Sequence, residues 1–405
     1  MVVIRSPKVG WQTYVALFRH RAVRRVILPA QMARLSVALE PLLLYVAVSQ
    51  GSGSFSRGSW ALAAYTVTIA VTWPLVGRLI DRQGARRVLL PLAVAHGAAL
   101  VAFGWCGDWG WSLIPRTVLV AATLGPVGPA IRAAWTRFLS PGEELERANA
   151  LESVLVEVFF IAGPLLSGAF VATLGVAAGL VASAVMLLLG SLGLAAVPGE
   201  NTRSPSAEAG SKGSKGSVRD WWRLLVPLAL ASAAFGVVEV SVPATIGDAG
   251  SIWLLSLPPM SSVLGGLVYG AMKHSRSPVA RYRSLVAIAF VTLLPFPFAS
   301  SSLTLGFALF LLGVPLAAVS AEEFGILGLL SGTAAATHAF SVAATSMAVG
   351  GAVGHFLAGT ALEWSGEWAA RLAAPLLGLT ALLWVAMVAG SLTQGIAHAS
   401  GAVEA

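Results

Sequence analysis

Apolar residues run along this chain in blocks long enough to cross a bilayer, and charged residues gather in the short gaps between them. Twelve blocks can be drawn, at 26–48, 59–80, 88–106, 111–131, 150–171, 174–197, 223–246, 251–272, 283–301, 302–319, 338–362 and 370–392. A helix rises 1.5 Å per residue, so about 20 apolar residues traverse a hydrocarbon core of roughly 30 Å. A continuous apolar run of that length satisfies its backbone in lipid only as a helix. The pattern predicts an all-α integral membrane protein with twelve transmembrane helices. Glu322 and Glu323 close the tenth block, and a further apolar stretch at 325–336 reads as a re-entrant or interfacial piece.

One gap stands apart. Residues 198–222 are rich in Gly, Ser and charge, cannot bury a core, and read as a flexible linker. The linker divides the blocks six and six, into 26–197 and 223–392, with a segment 1–25 before and a tail 393–405 after. The halves echo each other. Gly77-x-x-x-Asp81 follows the second block, and Gly266-x-x-x-Gly270 ends the eighth at an offset of 189 residues. Ala150 and Ala339 open the fifth and eleventh blocks at the same offset. Both blocks are glycine-rich in their middles, with Gly163 and Gly168 in one and Gly350, Gly351, Gly354 and Gly359 in the other. The echo predicts two pseudo-symmetric six-helix bundles.

Composition and charge sharpen this picture. Mean hydropathy is +0.80 and only 11% of residues are charged, against about a quarter in soluble domains, so the chain cannot cover a water-facing globule. The net charge of +8 would suggest nucleic acid in a soluble protein. Here most Lys and Arg fall in alternate gaps: Arg5 to Arg25, Arg78 to Arg87, Arg132 to Arg147, Arg203 to Arg223 and Lys273 to Arg283. The other gaps hold little more than Arg57, Asp108, Asp248, Glu363 and Glu367. That alternation places both termini in the cytoplasm, sets the basic gaps against anionic lipid head groups, and removes nucleic acid as a partner. Trp11, Tyr14, Val15 and Phe18 interleave the basic first 25 residues, which read as a retained interfacial helix. Cys106, the single cysteine, allows no intramolecular disulfide and reads as apolar filler. No metal or other cofactor is expected. The abundance of Ala, Gly, Val and Arg over Lys suggests a bacterial, GC-rich genome.

The sharpest motif lies between the second and third blocks: Gly77-Arg78-Leu79-Ile80-Asp81-Arg82-Gln83-Gly84-Ala85-Arg86-Arg87. Gly77 permits close helix approach and Gly84 lets the chain turn back. Asp81 stands among four arginines and reads as the centre of an ion-pair cluster at the membrane surface. This G-x-L-x-D-R-x-G-x-R-R order resembles the loop signature of the major facilitator superfamily of secondary transporters. The resemblance implies two six-helix halves with a solute bound between them near mid-membrane. It also implies that Gly77, Asp81, Arg82, Gly84, Arg86 and Arg87 latch the halves in one conformation. The bland alternative is that the arginines only hold the loop on one side, but the Gly-Asp-Gly spacing exceeds what topology requires. Gly270 replaces the acid in the second half, so no matching latch is expected there.

The fifth block carries Gly163-Pro164 and Gly168, with Phe159 and Ser167 where two further glycines would complete the G-x-x-x-G-P-x-x-G-G pattern of superfamily exporters. This partial resemblance implies export. Physically, Pro164 bends the helix and frees a carbonyl, and the small residues allow close contact, which a merely kinked helix would also explain. The fourth block has Arg116 toward its outer end, as exporters often do, but Val120 where they carry glycine. Pro126 and Pro129 predict a break in its inner half.

Charge inside a bilayer costs several kcal/mol, so each intramembrane ionisable residue is a candidate for function. Counted from the block ends, Arg34 and Glu157 lie at similar depth, and Glu40 and Arg116 both lie nearer the outer face, which suggests these two pairs. Glu239 sits in the outer half of the seventh block. In the superfamily layout Glu40, Arg116 and Glu239 would face the cavity. A carboxylate in a partly dry cavity can load and release a proton near neutral pH, so Glu40 and Glu239, then Glu157, are the proton-coupling candidates. A static salt bridge is the competing role for each. His96 and His355 read as packed polar residues, and Tyr65, Trp73, Trp253 and Tyr269 as packing or interface anchors.

The reading that follows is a monomeric secondary transporter of the bacterial plasma membrane. It would move a small organic solute by alternating access, most directly as a proton-coupled exporter. An importer of the same fold is the alternative and a membrane sensor the remote one. No H-E-x-x-H, G-x-S-x-G, phosphate loop or dinucleotide fingerprint appears, which argues against an enzyme.

Overall fold

The computed structural model describes residues 21–105, 113–139, 142–195, 218–246 and 253–399. The expected interfacial helix up to residue 20, Cys106, most of the linker (198–217) and the last six residues of the tail lie outside the described residues.

The described residues are helical throughout. The first three spans are Arg21–Ser52, Phe55–Gln83 and Ala85–Trp105. The fourth is broken into Leu113–Thr123 and Val127–Phe138, and the fifth and sixth are Glu143–Thr173 and Val176–Ala195. In the second half, Val218–Ile246, Leu257–Ala271 and Pro278–Leu293 form the seventh to ninth, and Ser302–Gly313 with Leu316–Ser331 the tenth. The final helix, Ala336–Ala399, breaks at Gly366 (φ 82°) into the eleventh and twelfth. Among the described residues eleven stretches are long and apolar enough to cross a bilayer, and the break at Gly366 makes the last of them two crossings.

Local chemistry accounts for the breaks. Gly84 turns the second helix into the third within one residue at φ 89°, a conformation strained for any L side chain. The interruption at Leu124 to Pro126 sits where Pro126 and Pro129 predict it, and the indole Nε1 of Trp73 donates to the freed Leu124 carbonyl at 3.1 Å. Three acids in the first turn of the fifth helix, Glu143, Glu144 and Glu146, suit its positive end and carry it seven residues past the expected start.

The tenth span corrects the sequence reading. Glu322 and Glu323 do not end it. The helix bends near Pro315 and continues to Ser331, with both carboxylates buried inside it. Residues 325–331 are its continuation, not a re-entrant piece. The acids are tolerated because Tyr269, Arg281 and Tyr282 donate to them from the eighth and ninth spans.

Helix pairing exposes the internal repeat. The first span packs on the sixth, the third on the sixth, and the second on the fourth. The seventh packs on the last helix, the ninth on the last helix, and the eighth on the tenth, the same scheme six spans later. Glycines mark the parallel. Gly163 of the fifth span lies against the Ala38 carbonyl of the first, where a Cβ would come within 2.5 Å. Gly350 and Gly354 of the eleventh lie against the Ala229 and Ala233 carbonyls of the seventh. Gly168, Gly351 and Gly359 have open space at that position. Each half has its own core, with Leu39, Leu43, Leu100 and Leu187 in one and Trp221, Tyr282, Phe340 and Leu309 in the other. Leu165, Leu303, Leu383 and Met387 stand exposed, as a lipid-facing surface requires.

Candidate transport pathway between the two halves

The halves meet chiefly through the second span on the eleventh and the fifth on the eighth, which exchange under the repeat. The two glycines of the sequence echo lie at these two contacts. Gly77 lets the second span approach Thr337, His338 and Ser341 of the eleventh, and Gly266 lets the eighth approach Val154 of the fifth.

At the end carrying Gly84, Asp81 joins the halves. Its Oδ2 accepts from the backbone N–H of His338 at 2.8 Å and its Oδ1 from that of Thr337 at 3.2 Å. A carboxylate there satisfies donors that a helix start leaves unpaired and suits its positive end. Arg137 of the fourth span supplies the ion pair at 3.2 Å. This replaces the expected cluster of loop arginines. Arg82, Arg86 and Arg87 point outward and are exposed, and among the described residues none of them bonds Asp81. Arg78 instead donates to His338 Nε2 at 2.9 Å, while His338 Nδ1 lies 3.0 Å from the Pro74 carbonyl. Those partners require a neutral ring with its proton on Nδ1.

A second tie lies under the fifth–eighth contact. Arg281 of the ninth span bonds Glu146 of the fifth at 2.7 Å and Glu322 of the tenth at 2.8 Å, and Tyr269 also donates to Glu322. No latch is expected at Gly270, which lacks the acid; the charges here come instead from Arg281, Glu146 and Glu322, with Tyr269 beside Gly270 donating to Glu322. Deeper in, Thr345 donates to the Ala70 carbonyl at 2.8 Å, and Ser262 of the eighth span donates to Glu157 of the fifth at 3.0 Å.

Toward the opposite end the eleventh helix loses cover. Thr337 and His355 are 18 residues apart, five turns and about 27 Å along one face. Ser341 on this face is fully buried, whereas the His355 side chain is 49% exposed. His355 pairs with Glu239 of the seventh span at 2.7 Å, and the Glu239 side chain is 45% exposed.

Both pairs inferred from depth are corrected. Arg34 bonds Glu152, not Glu157. The two glutamates are five residues apart, about 140° around the helix, so Glu152 faces the first and fourth spans and Glu157 the eighth. Glu152 also accepts from Trp135 Nε1 at 3.2 Å. Glu40 takes His96 at 3.0 Å as its ion-pair partner, not Arg116. Ser36, Tyr65 and Ser183 complete its shell at 3.1, 3.1 and 2.9 Å. Glu40 is fully buried among the first, second, third and sixth spans and does not face the gap between the halves. Arg116 lies part-buried in the outer piece of the fourth span. Nothing local in the chain points to His338, Glu152, Arg132, Arg137 or Arg281 as site residues, since each gains its role from a partner on another span.

A family model described as Major Facilitator Superfamily matches residues 32–355. The multidrug efflux pump Tap of Mycobacterium tuberculosis is 26% identical over 214 residues, 49% of each chain. The uncharacterised MFS-type transporter y4rN of Sinorhizobium fredii is 28% identical over 167 residues, 40% of this chain and 41% of its own. The matched part thus spans about half the length of these curated relatives or less. Among solved structures, the human organic anion transporter MFSD10 superposes with a TM-score of 0.71 at 15% identity, covering 90% of this chain and 99% of its own. A bacterial homologue of the iron transporter ferroportin gives 0.71 at 15% identity over 91% and 99%, and the Escherichia coli fucose:proton symporter 0.69 at 13% over 91% and 99%. With a family match across most of its length and the paired six-helix architecture described above, this chain belongs to the major facilitator superfamily.

Proposed function

We propose that the protein exports a small organic solute in exchange for protons, as a monomer in a bacterial plasma membrane with its basic Gly84 end and both termini in the cytoplasm. The observation that carries this reading is the Glu239–His355 pair. It is the acid–base pair left half-exposed on the face where the halves lose contact, so bulk protons can reach it while the cytoplasmic end is tied by Asp81 and Arg281. A proton taken up by His355 would charge the ring and tighten its hold on Glu239, and its release on the other side would loosen the pair and reset it. Glu40, enclosed by four partners, is assigned to holding the first bundle together instead. The similarity to the efflux pump Tap supports the outward direction.

The test is flux into inverted vesicles with an acidic interior, using a panel of apolar and amphipathic solutes. Export predicts accumulation that an uncoupler abolishes and that Glu239→Gln removes. Accumulation only in right-side-out vesicles would make the protein an importer, and movement indifferent to the pH gradient would remove proton coupling.

A further inference from the structure

Resting on the exporter reading, we infer that the solute is an anion with an apolar or aromatic body, and that Arg34 and Arg132 bind its charged head. The two arginines, from the first and fourth spans, lie about 93–94% buried and converge on adjacent residues of the fifth. Arg34 Nη2 bonds Glu152, and Arg132 Nη2 reaches Ser153 Oγ at 3.4 Å. Arg132 feels the charges of both Glu152 and Arg34, so the three groups form one cluster. Glu152 is the carboxylate in it, and its other oxygen is engaged by Trp135. Two cations therefore share one anion at a depth where unbalanced charge costs several kcal/mol.

The donors that remain point to a ligand. Arg34 Nη1 and Arg132 Nη1 are buried and bond no protein atom, and both the amide nitrogen and the amide oxygen of Gln31, one turn before Arg34, are likewise unpartnered. Buried donors are nearly always hydrogen-bonded, and a guanidinium presents its fork to a carboxylate, sulfonate or phosphate with two bonds at once. An anionic head group supplies both the missing acceptors and the missing charge.

The rings beside the arginines suggest the rest of the solute. Phe324 of the tenth span, in the opposite half, stacks on the Arg132 guanidinium at 3.9 Å, and Phe159 lies 5.9 Å from that of Arg34. Phe324 can stay on Arg132 only while the halves are closed at this end. When they part, the guanidinium loses its ring, and an aromatic or apolar body attached to the anion would take that place. Closure then sets Phe324 and solute in competition for one cation, which favours release toward the far side.

The experiment is calorimetric binding to the full-length protein in phosphatidylcholine nanodiscs, with 1-naphthoate, neutral 1-naphthamide and cationic 1-naphthylmethylamine as probes. The site predicts naphthoate binding at least about 10-fold tighter than either other probe, the value of one charge-assisted hydrogen bond. That preference should vanish in Arg132→Gln and in Arg34→Gln and weaken in Arg132→Lys, which keeps the charge but not the two-pronged fork, while Phe324→Leu should tighten naphthoate binding. Failure to bind naphthoate, equal binding of the amide or amine, or a preference unchanged in both glutamine variants would overturn the proposal. If one glutamine variant does not fold, the other and Phe324→Leu still decide. Repeating the titration in phosphatidylglycerol discs separates solute from lipid: unchanged affinity supports a solute site, and loss would assign the arginines to head-group phosphate. Because binding needs no gradient, an anion preference without proton-driven flux would sink the exporter reading and leave this site standing. Proton-driven flux without that preference would do the reverse.

Discussion

Asp81 and His338 belong to opposite halves of the transporter, and the carboxylate of the first accepts the backbone N–H of the second at 2.8 Å. Thr337 adds a second N–H to the same carboxylate, so the start of the eleventh helix takes its cap from the other bundle. Removing that acceptor with Asp81→Ala frees both amides. Charge-assisted hydrogen bonds are worth about 1.5–3 kcal/mol, so hydrogen–deuterium exchange at residues 337–338 should rise by about tenfold or more. Arg82→Ala, which removes an exposed side chain, should leave that exchange unchanged. Equal effects of the two substitutions would mean that loop charge, and not the cap, holds the contact.

The glycines divide into those that a neighbour touches and those that none does. A Cβ on Gly163 would stand 2.5 Å from the Ala38 carbonyl, and one on Gly168 would meet nothing within 4 Å. Overpacking of this kind costs about 1–3 kcal/mol. Gly163→Ala should therefore lower the melting temperature clearly, while Gly168→Ala should be neutral or slightly stabilising, since alanine is the better helix former. A thermal melt of the two variants in detergent side by side checks this, and equal losses would count against the close first–fifth contact.

Glu40 and His96 face each other with no exposure of either side chain. Breaking such a buried pair by deleting one member costs about 3–5 kcal/mol in soluble proteins. Glu40→Ala should lower thermal stability strongly, while Glu40→Gln, which keeps an oxygen for Tyr65 and Ser183, should be milder. Neither should abolish the pH dependence of flux in the molecules that remain folded. If Glu40→Gln folds normally and loses only coupling, the carboxylate is a proton site after all.

How much of this was legible in the chain depends on which direction the information runs. Apolar runs fix the spans, and Gly84 and Pro126 locate a turn and a break, because each is set by residues close in sequence; the 189-residue echo marks the two halves but not which helices meet at Gly77 and Gly266. Depth along a helix is also legible, but azimuth among twelve helices is not. Depth alone therefore pairs Arg34 with Glu157, although Glu152, on another face, is its partner. Glu322 and Glu323 looked like a span end because two acids in lipid are costly, and the donors that stabilise them sit some 40 to 50 residues away. The loop arginines drew attention by proximity to Asp81, but a helix that turns at Gly84 carries them outward, and Arg137 arrives from the fourth span.

Glu157 and Ser262 provide the sharpest contrast with Glu239. Glu157 leaves the fifth span and accepts from Ser262 of the eighth at 3.0 Å, and the same hydroxyl accepts the Ala317 N–H of the tenth. Among the described residues this carboxylate bonds no cation, so its contact is a hydrogen bond that an uncharged amide oxygen can also accept. Glu157→Gln should keep the junction, the fold and the response of flux to a pH gradient. Ser262→Ala should loosen the fifth–eighth contact, leave a buried N–H at Ala317 unpaired, and cost about 1–3 kcal/mol. Glu239→Gln should instead leave stability nearly unchanged, because the side chain is half-exposed, and remove the response to pH. Measured together in vesicles, these three variants locate the proton. If Glu157→Gln uncouples flux and Glu239→Gln does not, the proton travels at the junction of the two halves and the outer pair is only a surface contact.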